Sequence, residues 1–132
     1  MPEAVAPFEL DSFDQEPPYE EDSGVVYARS RITKTFHGDV EATGTVEMLS
    51  AGSEDGGGAG YVALERIAGS VHGREGSFAV VHIGTMTADD QWGKWPIVPG
   101  SGTADLQGIT GEARIEIAED GSHTLFLRYE LA

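Results

Sequence analysis

Residues 61–86 read YVALERIAGSVHGREGSFAVVHIGTM, and residues 92–111 read WGKWPIVPGSGTADLQGITG. Apolar and small residues alternate through both stretches, and glycine punctuates them at short intervals. Single polar side chains stand inside runs that are otherwise apolar. This is the pattern of successive β-hairpins in a closed or nearly closed sheet, with no helical period. Residues 61–71 predict one strand, residues 72–76 a turn, and residues 77–87 the next strand. In the first, Tyr61, Ala63, Glu65 and Ile67 share a phase opposite Val62, Leu64, Arg66 and Ala68. In the second, Phe78, Val80 and His82 oppose Ala79, Val81 and Ile83. A strand apolar on both sides is buried on both sides or faces another subunit. Residues 95–98 predict a further strand, broken by Pro99 and Gly100.

Upstream, residues 24–36 are rich in β-branched and aromatic side chains and predict a strand. One phase carries Val26, Ala28, Ser30, Ile32, Lys34 and Phe36; the other turns polar from Arg29 onward. His37-Gly38-Asp39 is a turn, and residues 40–51 form a strand with Glu41, Thr43, Thr45 and Glu47 toward water. A short first strand begins at Phe8, with Phe8, Leu10 and Ser12 opposite Glu9, Asp11 and Phe13. Residues 1–7 read as a loose tail and the acidic segment 19–23 as a surface loop. Downstream, residues 113–118 and 123–131 predict two closing strands around Asp120-Gly121. Leu125, Leu127, Tyr129 and Leu131 form the inward phase of the last. About eight short strands imply a single all-β domain over residues 1–132, a small antiparallel eight-stranded barrel.

The bulk chemistry narrows function more by exclusion than by assignment. The chain has 132 residues, 23 Asp and Glu, 8 Lys and Arg, and a formal net charge of −15. Such a field repels nucleic acid and anionic lipid, so neither is an expected partner. No cysteine is present, which removes disulfides, thiolate nucleophiles and cysteine zinc sites. There is no signal-peptide pattern and no apolar run long enough to span a bilayer, so a cytoplasmic location is expected. His37, His72, His82 and His123 never fall two apart on one strand, so the sequence predicts no metal and no cofactor. The Gly52–Gly60 segment lacks the Lys-Ser/Thr of a phosphate loop.

Two residues stand out as carriers of chemistry. Glu65 and His82 are titratable groups on strands otherwise made of Val, Leu, Ala, Phe and Ile. Pointing inward together, they form a carboxylate–imidazole pair able to move a proton at neutral pH, and are the candidate catalytic residues. The alternative is a structural hydrogen bond that fixes strand register. Tyr61, Phe78, Trp95 and Tyr129 are the candidate ligand-binding residues, set against a role as core filler.

Several motifs together resemble an uncharacterised bacterial family, domain of unknown function family 3224. They are Lys34-Thr35-Phe36-His37-Gly38-Asp39, Tyr61-Val62-Ala63-Leu64-Glu65-Arg66, Gly73-Arg74-Glu75-Gly76-Ser77-Phe78, His82, Pro99-Gly100-Ser101-Gly102-Thr103, Leu106-Gln107-Gly108-Ile109-Thr110-Gly111 and Tyr129-Glu130-Leu131. The family is similar to the allene oxide cyclase-like barrels, whose members are small, often self-associating, and cyclise or isomerise small apolar molecules. The resemblance implies a barrel that binds a small hydrophobic molecule, with cofactor-independent cyclase or isomerase activity as one outcome. A non-enzymatic structural or carrier barrel that forms a homo-oligomer, a dimer or trimer, is the other.

Overall fold

The structure, a computed structural model, describes residues 2–131. Long two-period runs become long strands: β1 (Glu3–Gln15), β3 (Val25–Phe36), β4 (Val40–Ser53), β5 (Ala59–Val71) and β6 (Arg74–Met86). Shorter strands are β2 (Glu20–Asp22), β7 (Gln91–Lys94), β8 (Thr110–Ile117) and β9 (His123–Glu130). One 3-10 turn, Ala104–Leu106, is the helical content of the described residues. All strands join one sheet in the order β7-β6-β5-β4-β3-β1-β9-β8, with β2 added against β3. The pairings are antiparallel. The expected eight-strand barrel is the path of this sheet, nearly closed.

The predicted strand at 95–98 is instead the staple that closes the ring. Regular pairing ends at Lys94, and Pro96 has no N–H to give a ladder. On one side Val81 N–H donates to Pro96 O at 2.9 Å and Val98 N–H to Ala79 O at 2.8 Å. On the other, Ile97 N–H donates to Gly111 O at 2.9 Å and Ala113 N–H to Trp95 O at 2.7 Å. The segment thus ties β6 to β8, covering both free edges that would otherwise invite another chain.

Three further expectations are corrected. Of the expected loose tail 1–7, Met1 lies outside the described residues, and from Glu3 onward the segment is β1, paired with β9, with Ala4 and Ala6 completely buried. Charged Glu3 hides this pattern, because alternation of small Ala with polar or proline neighbours gives a weak hydrophobic signal. The acidic segment 19–23 contains β2, held to Tyr27, Val26 and Val25. The β5–β6 turn is shorter than 72–76. Only His72 and Gly73 form it, both at positive φ (48° and 80°), as a two-residue hairpin with the strands' own twist requires.

The two ends of the barrel differ. One end is solid: Phe36, Val40, Val71, Phe78, Leu127 and Tyr129 pack with Leu106 and Ile109 from the 3-10 segment, which caps that end. Gly76 permits the approach, since a Cβ there would lie 2.2 Å from Thr103 O. The other end is hollow, its wall begun by the small cluster of Ile32, Val46 and Ala63 with Met48. A bulge at Asp11 shifts the register of β1 between Leu10 and Ser12. Phe13 therefore faces the same side as Leu10, opposite to the phase that strict alternation assigns it.

The placement of the N-terminal residues is testable. Ala6→Asp puts a carboxylate at a fully enclosed position and is expected to cost roughly 3 kcal/mol or more in urea unfolding. A loose tail would tolerate the change within about 0.5 kcal/mol.

Candidate functional site

Inward-facing side chains stack in rows across the sheet. Leu10, Lys34, Gly44, Ile67 and Phe78 share one row; Phe13, Ile32, Val46, Glu65 and Val80 share the next; Met48, Ala63 and His82 the one after. Lys34, Glu65 and His82 thus stand on β3, β5 and β6 in three consecutive rows. All three are buried, at 6%, 2% and 6% exposure. Glu65 Oε1 accepts from His82 Nε2 at 2.8 Å and from Lys34 Nζ at 3.3 Å. Lys34 also lies over the Phe8 ring, 4.9 Å from its centroid.

Lys34 and Glu65 are two strands apart, and Gly44 on β4 makes their meeting possible. A Cβ at Gly44 would come within 2.3 Å of Glu65 Oε2 and 2.8 Å of Phe36 Cε2. The missing side chain is the space that the carboxylate occupies. Burial pushes the Glu65 carboxyl up, as any desolvated acid is pushed. The hydrogen bond from His82 and the Lys34 charge outweigh that, and hold it below the ordinary carboxylate range. Glu65 is therefore an anion with cationic and N–H neighbours. Its second oxygen, Oε2, is buried without a hydrogen-bond partner, as is Trp95 Nε1.

Beside this cluster, the hollow end of the barrel contains an open-mouthed cavity of about 300 Å³. Its wall is Phe8, Leu10, Phe13, Ile32, Val46, Met48, Tyr61, Ala63, Ile115 and Ile117, with Lys34, His82 and His123. That size is at the lower end of small-ligand pockets. Leu10, Phe13 and Ile117 are exposed at its rim. Glu65 is not part of the wall; it stands behind His82 and Lys34. With Nε2 committed to Glu65, the nitrogen His82 has left for a ligand is Nδ1, while Lys34 keeps two ammonium hydrogens beyond its one carboxylate contact. The arrangement can donate and accept a proton next to an apolar chamber.

The expected pair, Glu65 and His82, is in direct contact inside the barrel. Tyr61 lines the cavity. Phe78 and Tyr129 lie in the solid core, where the Tyr129 hydroxyl hydrogen-bonds His72 Nδ1. Trp95 stands edge-on to His82 with ring centroids 6.5 Å apart, between β6 and β8 and outside the cavity wall. Lys34 is the residue that the sequence reading passed over. Its signal was present: it is the one charge in the phase of Ala28, Ile32 and Phe36. Among the described residues no group of three or more His, Asp or Glu could hold a metal ion.

Against known proteins, a family model described as protein of unknown function (DUF3224) matches residues 4–129. The chain belongs to the DUF3224 family. A solved relative agrees: the crystal structure of a DUF3224 protein with unknown function from Shewanella oneidensis MR-1 superposes with a TM-score of 0.91 at 35% identity. That comparison covers 100% of this chain and 98% of the other. No match was found among curated proteins. Among the described residues of this DUF3224 protein, no helix is long and apolar enough to cross a membrane.

The cluster makes a stability prediction. Glu65→Ala leaves Lys34 buried without its anion and is expected to cost about 3–5 kcal/mol, whereas Lys34→Met with Glu65→Leu recovers most of the loss. Chemical denaturation of the two variants checks this. The folded Glu65 carboxyl binds its proton less tightly than the 4.5 of an ordinary glutamate. Its stabilisation is thus complete above that pH and is lost as pH falls through the folded value. The stability gap between the wild type and Glu65→Ala is expected to narrow in acid.

Proposed function

We propose that this DUF3224 barrel binds a small, mostly apolar molecule in its hollow end, with Lys34 and His82 holding the molecule's one polar group. The observation that carries the reading is the cavity itself. It has a greasy wall of guest size in contact with a buried ion-paired cluster. Apolar side chains of equal volume would pack at that place with less desolvation cost.

The resemblance that the sequence motifs suggest to allene oxide cyclase-like barrels favours a cofactor-independent cyclisation or isomerisation as the reaction. In that reading the wall folds the substrate into a reactive shape. His82 is the group that moves a proton at Nδ1, and Glu65 is a positioning residue that fixes the ring's tautomer. A carrier that only sequesters its ligand uses the same wall without turnover.

A second reading rests on a different surface. On the outer face Leu49, Val62 and Ile83 stand side by side on β4, β5 and β6, with Leu64 in the adjoining row. Their exposures are 41%, 50%, 36% and 56%. A contiguous apolar patch on a chain this acidic favours contact with a second copy, as a homo-oligomer.

Native mass spectrometry of purified protein is expected to show a co-purifying molecule of low mass. Ala63→Trp, which fills the cavity, abolishes it; retention of the same mass in that variant removes the cavity from the account. For the second reading, Val62→Lys with Leu64→Lys shifts sedimentation from oligomer to monomer. A wild type that sediments as a monomer defeats it.

A further inference from the structure

The chemistry of the cavity wall is one-sided. The chain carries 23 Asp and Glu, yet no carboxylate lines the cavity. The ionisable groups that do are Lys34 from β3, Tyr61 from β5, His82 from β6 and His123 at the start of β9, each of them a hydrogen donor in at least one protonation state. The strands β1, β4 and β8 contribute none to the wall. In a molecule of net charge −15, this wall presents an anion with hydrogen donors and one ammonium, and with no carboxylate.

Lys34 is also under-satisfied. Its one hydrogen bond runs to Glu65 Oε1 at 3.3 Å, an oxygen already taken by His82 at 2.8 Å. Otherwise it rests on the Phe8 ring face. A buried ammonium with two uncommitted hydrogens calls for another acceptor.

We propose that the cavity recognises a small monocarboxylate with an apolar chain, its carboxylate seated on Lys34 and beside His82, and that a proton enters with it onto His82. This rests on the cavity being a binding site, and adds what the ligand must carry. The proton follows from charge. Lys34 and Glu65 already compensate each other, so an added carboxylate leaves one negative charge in excess. His82 Nδ1 has the place for a proton that cancels it, and the protonated ring donates to the ligand while Nε2 still donates to Glu65. The cavity volume of about 300 Å³ is that of roughly ten water-sized atoms, which suits an eight-carbon acid.

The test is isothermal titration calorimetry of the purified full chain with octanoate, octan-1-ol and octylamine at about pH 6 and about pH 8. Octanoate is expected to bind about tenfold or more tighter than octanol at the lower pH. It weakens at the higher pH, and buffers of different ionisation heat report proton uptake. Lys34→Met loses the preference for octanoate, so that octanoate and octanol bind it about equally; circular dichroism reports whether the barrel is retained, and Lys34→Gln is the second variant that carries the test if it is not. Octanol binding as tightly as octanoate, a preference that survives Lys34→Met, octylamine binding best, or octanoate binding with no change in protonation overturns the proposal and leaves the apolar binding site standing. Failure of all three probes to bind overturns both.

Discussion

A carboxylate withdrawn from water must be compensated where it stands, and in this barrel that single requirement fixes the geometry of three strands. Glu65 is almost completely enclosed. Desolvation alone would protonate it; the imidazole of His82 and the ammonium of Lys34 keep it charged. Each partner comes from a different strand, so the pairing of β3, β4, β5 and β6 has one register that brings them together. A shift of β3, β5 or β6 by one residue would turn that strand's member of the cluster out of the barrel. Gly44 completes the constraint by leaving the carboxylate its volume. Buried ionic groups of this kind contribute less to stability than to the choice of one arrangement over its neighbours, and here the arrangement borders a cavity.

That border divides the molecule. Below the cluster the interior is packed with Phe36, Phe78, Leu106, Ile109 and Leu127, and the 3-10 segment shuts the end. Above it, Leu10, Phe13 and Ile117 lean over an opening. The solid half supplies the rigidity on which a site can be held to a fraction of an ångström, while the hollow half supplies the room. Because Glu65 is screened from the cavity by His82 and Lys34, its influence on a guest is transmitted through the orientation of those two groups.

The sequence carried the architecture well because period-two alternation and glycine punctuation survive in long strands. It also carried Glu65 and His82, since a charged or titratable group amid Val, Leu and Phe is conspicuous. Lys34 was equally visible as the one charge in the inward phase of its strand, but that it meets Glu65 follows only from the pairing of β3, β4 and β5. Phe13 was illegible for a different reason. The bulge at Asp11 inverts the phase, and no local signal marks a bulge without glycine. The start of the first strand, residues 3–7, was missed because Ala4 and Ala6 are small and their burial depends on partners more than a hundred residues away, Leu127 and Leu125. Trp95 and Pro96 read as a strand because closure of a ring is a tertiary fact that residue patterns do not contain.

Whether His82 points inward and is clamped by an ionised Glu65 is read from its ring nitrogens in long-range proton–nitrogen NMR at neutral pH. A slowly exchanging, hydrogen-bonded proton on Nε2 is expected, and its loss in the double variant Lys34→Met with Glu65→Leu, where no oxygen remains at that place to accept it. An imidazole whose tautomers average as in free histidine, with ring protons exchanging freely with water, would contradict that clamp.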